Sequence, residues 1–256
     1  MLRILVAGLL TVCTEAVYRP SATTSWQWQI NSGHPDTSVH VTMYDVDLFE
    51  AGESGYISRL KSAGHKVICY FSAGSYEKWR PDAGQFPPDV LGHKLDGWDE
   101  RWLDIRDDRV KTIMRARLDK AVHYHCDGVE PDNVDGYTNH NDLGLTASDQ
   151  LAYNKWIAAE AHKRGLSVGL KNDVDQISQL VHYFDWALNE ECVEYNECNK
   201  YKPFIDAGKA VFHVEYVDKT SQGHSKQQSV CHSSHRPKQF RTLIKQWDLD
   251  AWRLTC

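Results

Sequence analysis

Between Asp127 and Asp135 the chain reads DGVEPDNVD, four carboxylates and no base within nine residues. Carboxylates held this close repel, and one of a pair keeps its proton to higher pH, which is how enzymes separate an acid from a base. Cleavage of a bond that needs both is the chemistry to expect. Glu130 stands two residues before Asp132, so on a strand the two face one way, one layer apart. Glu130 then either tunes Asp132 or pairs with Lys171, whereas Asp127 and Asp135 read as solvated or turn-forming.

Such acids need rigid elements behind them. Short runs rich in β-branched and aromatic residues mark eight strands: Ser25–Ile30, Val39–Tyr44, Val67–Phe71, Gly128–Glu130, Ser167–Leu170, Asp185–Leu188, Ala210–Val214 and Phe240–Ile244. Between them, 107–124 places Val110, Ile113, Met114, Arg117, Leu118, Ala121 and Val122 at helical spacing behind aspartates. Thr146 with Asp149 resembles a capping box for a second helix that Gly165 ends, and Tyr56–Ala63 is a third, stopped by Gly64. Strands alternating with helices pair in parallel, and eight of them predict an α/β fold, a single-domain (β/α)8 TIM barrel. The polar stretch Lys219–Lys238 reads as a loop.

A barrel carries its functional residues just past the C-terminal ends of its strands. Polar groups collect there: Tyr44 to Asp47, Ser72 to Gly74, Glu130 to Asn133, Lys171 to Asp173, Asn189 to Glu191, and Glu215 with Tyr216. Trp26, Trp28, Tyr44, Tyr70, Tyr76, Trp79, Trp98 and Tyr137 lie near the same ends, and flat rings beside carboxylates suit the apolar faces of a sugar. Core packing is the plain alternative for any single ring.

The chain has 256 residues, 41% of them hydrophobic, and a formal charge of −6, which disfavours a nucleic-acid partner. Residues 1–16, with Arg3 before an apolar run and small residues up to Ala16, have the layout of a secretory signal too short to span a bilayer. A lipid anchor on Cys13 is disfavoured by the Leu10-Thr11-Val12 that precedes it. The expected protein is therefore secreted, and nothing after the signal is apolar enough for a membrane partner. Beyond Cys13, six cysteines remain, an even count that favours disulfides, although six allow fifteen connectivities. Cys192 with Cys198 closes the shortest loop, and Cys231 with Cys256 would staple the C-terminus, leaving Cys69 with Cys126; free buried thiols are the alternative.

VICYFSAGSYEKWRPD (67–82), FPPDVLG (86–92), DGWDERWLDIR (96–106), CDGVEPDNVDGY (126–137), GLSVGLKND (165–173) and GKAVFHVEY (208–216) together resemble glycoside hydrolase family 114, the endo-α-1,4-polygalactosaminidases. The similarity runs from about Trp26 to about Asp218. It implies a secreted barrel enzyme that cuts α-1,4-linked galactosamine polymers internally, with catalytic carboxylates after the fourth and sixth strands at Asp132 and Glu190. By analogy with other α-glycosidase barrels, Asp132 is the nucleophile of a retaining reaction and Glu190 the acid/base, with Glu191 the competitor for that role. Substrate contacts are expected from Trp28, Tyr44, Asp45, Tyr70, Glu130, Lys171, Asp173 and Glu215. Apart from the resemblance, the acids Asp45, Asp47, Glu130, Asp173, Glu191 and Glu215 fit a polysaccharide of protonated amines.

Metal-assisted hydrolysis is the competing enzyme class. His123 and His125, two apart near a helix end, cannot share a face, and His213 reads as a core group or a subsite residue. Pro131 occupies the first ligand position of an EF-hand-like loop, so neither a metal nor another cofactor is expected. A monomer is expected, and two further readings keep the barrel: an α-glycosidase for galactose or N-acetylgalactosamine units, or a sugar-binding barrel without catalysis, against which the presence of both acids speaks.

Overall fold

Parallel strands need crossover connections, and the alternation of strand and helix supplies them. The computed structural model describes residues 16–31 and 34–256, so the expected leader, Cys13 included, falls outside the described residues except for Ala16. The barrel starts with β1 (Trp26–Gln29), β2 (Met43–Asp47) and β3 (Lys66–Ser72). The chain then leaves it to build a small antiparallel sheet from β4 (Ser75–Glu77), β5 (Leu91–Lys94) and β6 (Glu100–Leu103), in the order β4-β6-β5. It returns through β7 (Gly128–Asp132), β8 (Ser167–Lys171), β9 (Trp186–Glu190), β10 (Val211–Val217) and β11 (Arg241–Gln246), each parallel to its neighbour. The expected eight strands are all present, and the second is displaced along the chain to Met43–Asp47. β12 (Leu254–Thr255) adds an antiparallel turn to β11.

The curled sheet closes without a backbone ladder between β1 and β11 among the described residues. Trp26 Nε1 donates to the Arg241 carbonyl at 2.9 Å. The C-terminal segment covers the seam: Gln27 Nε2 donates to the Ala251 carbonyl at 2.8 Å, and Arg253 donates to the Trp26 carbonyl.

The helices are α1 (Glu50–Glu53), α2 (Tyr56–Ser62), α3 (Asp108–His123), α4 (Ala147–Lys163), α5 (Ile177–Leu180), α6 (Lys202–Asp206) and α7 (Gly223–Cys231). The side chain of Asp107 accepts from Arg109 N at the start of α3, and Thr146 and Asp149 form the expected capping box at the start of α4. α3 buries the expected face except Val122, which is 41% exposed. Helix α7 corrects the loop reading of Lys219–Lys238. It buries only Gly223 and Val230, so no apolar period announced it. Among the described residues, no helix follows β1 or β11 in the usual barrel position.

Side chains alternate across each strand. Inward-facing Trp26, Trp28, Met43, Ile68, Trp186, Leu188, Phe212, Val214 and Leu243 pack one cluster inside the barrel, while outward-facing Tyr44, Val46, Val67, Phe71, Val129, Val168 and Leu170 pack against the helices. Gly169 makes room for an interior indole, since a Cβ there would meet Trp186 at 2.3 Å. The disulfides Cys69–Cys126, Cys192–Cys198 and Cys231–Cys256 form with Cα separations of 6.0, 4.8 and 5.3 Å.

Candidate active site

The inward series of β2, β3, β7, β8 and β9 turns polar toward the C-terminal end, and the polar layer is centred on Lys171, the last residue of β8. Its ammonium lies 2.9 Å from Glu130 Oε1, 3.1 Å from Asp132 Oδ1 and 3.3 Å from Glu190 Oε2. Three adjacent strands, β7, β8 and β9, thus converge on one cation. Burial alone would lower the Lys171 pKa, but the charges of Asp132, Glu130 and Glu190 outweigh it and hold the group well above the ordinary lysine value. The Trp28 ring lies 4.9 Å from the same nitrogen.

Asp132 ends β7 with a partly exposed side chain. Besides Lys171, it accepts from Asn133 N at 2.8 Å and from the Tyr70 hydroxyl at 3.1 Å. Burial, then the charge of Asp132, pushes the Tyr70 phenol well above its usual value, so it remains a donor. Glu190 ends β9 and is also partly exposed. It accepts from the Tyr216 hydroxyl and from Asn172 Nδ2 at 3.2 Å, while its own backbone N–H donates to Asn172 Oδ1 at 3.0 Å.

One layer below, Glu130 is fully buried and accepts from Trp28 Nε1 at 3.0 Å in addition to Lys171, which selects pairing with Lys171 between the two sequence alternatives. Asp45 lies beside it, also fully buried, and neither of its oxygens has a hydrogen-bond donor. Burial first, then the Glu130 charge, raises the Asp45 carboxyl well above the usual range. Burial and the neighbouring Glu130 charge thus both favour the neutral form of Asp45.

Local backbone geometry aims these groups. Asn133, Asn172, Asp173 and Glu191, just past β7, β8 and β9, all have left-handed φ values of 58°, 46°, 43° and 62°. Such conformations cost about 1–3 kcal/mol each and gather where a side chain must be presented rather than packed. Ala73 N and Gly74 N both donate to the Asp132 carbonyl, and a Cβ on Gly74 would meet Asn133 O at 1.6 Å, so only glycine permits that approach.

Above this floor opens a cleft of about 790 Å³. Among the described residues, thirteen carboxylate side chains line it against three cationic ones, Arg80, Lys171 and Lys200. All three cations are already paired: Arg80 with Asp47 and Glu77, Lys200 with Asp175 and Glu197. Trp79 and Trp98, on the excursion that forms β4 to β6, and Trp247, past β11, present exposed rings. Trp247 stacks on Tyr216 at 3.9 Å between ring centroids.

Of the expected substrate contacts, Trp28, Tyr70, Lys171 and Asp173 line the cleft. Tyr44, Asp45, Glu130 and Glu215 do not. Tyr44 and Glu215 sit on the outward side of their strands. The Tyr44 hydroxyl donates to the Val39 carbonyl at 2.7 Å, and Glu215 accepts from Val193 N and His213 Nε2 and pairs with Lys226. Asp45 and Glu130 face inward and lie buried beneath the floor of the cleft. Glu191 lines the cleft beside Glu190, and burial together with Glu215 pushes it up to about 7.

The acidic knot itself divides. Asp127 turns outward to Lys61 and Lys66. Asp135, read from sequence as solvated or turn-forming, lines the cleft, and burial and the Asp132 charge push it up to about 7. Tyr216 and Asn172 were outside the expected contacts, although strand parity places Tyr216 on the inward side with Val214 and Phe212. Trp247 belongs to no quoted motif and had no sequence signal beyond its ring. His213 is a core group, bonded to Glu215 and Thr242.

The model for glycoside-hydrolase family GH114 matches residues 9–256. The crystal structure of Aspergillus fumigatus Ega3 in complex with galactosamine is similar at 42% identity and a TM-score of 0.86, over 94% of this chain and 98% of that one. The glycoside hydrolase domain of PelA from Pseudomonas aeruginosa shares the fold at 9% identity and a TM-score of 0.69, over 90% of this chain and 98% of that one. No curated protein matches the chain.

Proposed function

The chain belongs to glycoside hydrolase family GH114, and from that premise we propose a secreted, monomeric enzyme that cuts α-1,4-linked galactosamine polymers internally, with retention, through Asp132 and Glu190. The observation that carries the substrate reading is the acidity of the cleft: among the described residues thirteen acidic side chains line it, and each of its three cations is already engaged. A polymer of protonated amines fits such a surface, a polyanion does not. Ega3, the similar protein, was crystallised with galactosamine.

In the proposed reaction an oxygen of Asp132 attacks the anomeric carbon while Glu190 gives its proton to the departing glycosidic oxygen. The glycosyl–Asp132 ester is then opened by a water whose proton returns to Glu190. Lys171 links the pair, its ammonium 3.1 Å from Asp132 Oδ1 and 3.3 Å from Glu190 Oε2, and retention is read by analogy with other α-glycosidase barrels. Inverting pairs stand about 6.5–9.5 Å apart to admit a water, retaining pairs about 5–5.5 Å. Lys171, Tyr70 and Asn133 N, all donors, orient the nucleophile, and Tyr216 and Asn172 orient the acid/base.

Three disulfides fit an oxidising compartment and hence the proposed leader. No helix of the described residues is long and apolar enough to cross a membrane. The test is incubation with galactosamine oligomers of graded acetylation, product lengths being read by mass spectrometry. Internal cuts at deacetylated units, lost in Asp132→Asn, are expected; equal cleavage of fully acetylated oligomers, or full activity in Asp132→Asn, would overturn the reading.

A further inference from the structure

We propose that His93, His140 and Asp142 form a site for one divalent transition-metal ion, zinc being the reference case, on the rim outside the catalytic cleft. His93 Nδ1 lies 2.9 Å from Asp142 Oδ2, and His140 Nε2 lies 2.7 Å from Asp142 Oδ1. The two imidazoles stack with centroids 4.1 Å apart, so both present a nitrogen to the same carboxylate. All three donor atoms fall within 4.8 Å of one another. Ligands held about 2.0–2.1 Å from a tetrahedral zinc stand about 3.3 Å apart, so entry of the ion asks the two rings to turn out of their stack and the two nitrogen–carboxylate contacts to open by about half an ångström. Two imidazoles and a carboxylate suit zinc, copper or nickel rather than magnesium or calcium, and the exposed setting leaves a fourth position to water.

The ligands stand on a built platform. His93 N donates to the Asn141 carbonyl at 2.8 Å, and a Cβ on Gly92 would meet that same oxygen at 2.1 Å, so the two segments touch through glycine. Asn141 is buried; its Nδ2 donates to the Gly136 carbonyl at 2.9 Å and its Oδ1 accepts from Leu143 N at 2.8 Å, fixing the loop on both sides of Asp142. Asp142 itself has φ 56°, a left-handed conformation that turns its carboxylate toward both rings. Among the described residues, the other cluster of metal-type ligands, Cys192, Cys198 and His213, has its sulfurs committed to a disulfide.

The ion would tie β5 to the loop after β7. The segment after β5 carries Leu95 and Trp98, and that loop carries Tyr137 and Asn139, so metal would brace two parts of the cleft wall. It takes no part in the glycosidic reaction.

Isothermal titration of the whole protein with zinc, and the visible spectrum of its cobalt complex, test the site. One ion per chain is expected, with a tetrahedral cobalt spectrum and a thermal midpoint raised by zinc. His93→Gln and His140→Gln should each weaken binding tenfold or more, and the double variant should abolish both the spectrum and the thermal shift. Midpoints without metal that match the wild type establish that these variants fold; Asp142→Asn gives the same test should either histidine change unfold the chain. Absence of zinc binding at millimolar metal, or an affinity unchanged in the double variant, overturns the proposal, the second outcome placing the ion among the cleft carboxylates.

Discussion

Lys171 Nζ stands 2.9 Å from Glu130 Oε1 across two adjacent strands, and both side chains are buried. Breaking such a pair leaves one charge buried alone, which costs about 3–5 kcal/mol. Lys171→Met should therefore lower the unfolding free energy by about that amount and should also remove the cation between Asp132 and Glu190. Urea unfolding at neutral pH measures the first effect and turnover the second. Adding Glu130→Gln to Lys171→Met should recover part of the stability but none of the rate. Strictly additive losses would show that the two side chains are not coupled.

Burial and the Glu130 charge raise the Asp45 carboxyl, so the fold favours its protonated form, the form that can donate to Glu130. A carboxyl whose pKa is raised by folding contributes stability that is complete below its unfolded value near 4 and is lost as pH rises through the folded value. Asparagine supplies a neutral donor of the same shape. Asp45→Asn should thus hold stability within about 1 kcal/mol of the wild type, whereas Asp45→Ala should cost about 1–3 kcal/mol by leaving Glu130 short of a donor. The infrared carbonyl band of a buried protonated acid should vanish in Asp45→Asn. Equal losses in the two variants would refute a protonated Asp45.

That acids gather at the barrel mouth was legible because the post-strand position follows from local sequence, while the choice of Asp132 and Glu190 among them came from the family resemblance. Asp132, Glu190 and Lys171 each close a β-branched or aromatic run, and the structure brings all three to one point. Parity also explains what went wrong. Reading the second strand as Val39–Tyr44 placed Tyr44 at the mouth, whereas the strand runs Met43–Asp47 and turns that ring outward. Glu215 sits one residue before inward-facing Tyr216 and points to the helices instead. What local pattern could not supply was distance. The β4–β6 excursion that brings Trp79 and Trp98 over the cleft, and the seam formed by the C-terminal segment, depend on contacts between remote parts of the chain.

Trp79 and Trp98 are 48% and 53% exposed, so their rings contribute to ligand contact more than to folding. Trp79→Ala and Trp98→Ala should raise KM by roughly fivefold to tenfold, about 1–1.4 kcal/mol of stacking, while kcat stays near the wild-type value. Trp247→Ala should differ, because Trp247 stacks on the Tyr216 ring whose hydroxyl holds Glu190. There kcat should fall as well. Steady-state kinetics on one defined oligomer separates the cases; unchanged KM in all three would exclude these rings from substrate contact.

Attraction between an acidic cleft and a polyamine is screened by salt, since the Debye length shrinks from about 10 Å at 0.1 M to about 3 Å at 1 M. Raising sodium chloride over that range should lower kcat/KM on galactosamine oligomers mainly through KM. Turnover indifferent to ionic strength would remove the electrostatic part of the substrate reading.

Asp173 gives the sharpest pH signature. Its Oδ2 accepts from Asn154 at 2.8 Å, and burial, followed by the neighbouring Asp135 charge, pushes its carboxyl up to about 8. Between the unfolded value near 4 and that folded value, the native state holds a proton that the unfolded chain releases. Its contribution is whole below about pH 4 and disappears as pH climbs through about 8, with a slope of up to about 1.4 kcal/mol per pH unit inside the window. The wild-type thermal midpoint should therefore fall from pH 5 to pH 9, and Asp173→Asn, which cannot ionise, should fall less and overtake the wild type at the alkaline end. Bound substrate should reverse the order at high pH, because a ligand ammonium stabilises the charged carboxylate that the asparagine lacks. Parallel midpoint curves for the two proteins across that range would show that Asp173 titrates alike in the folded and unfolded states.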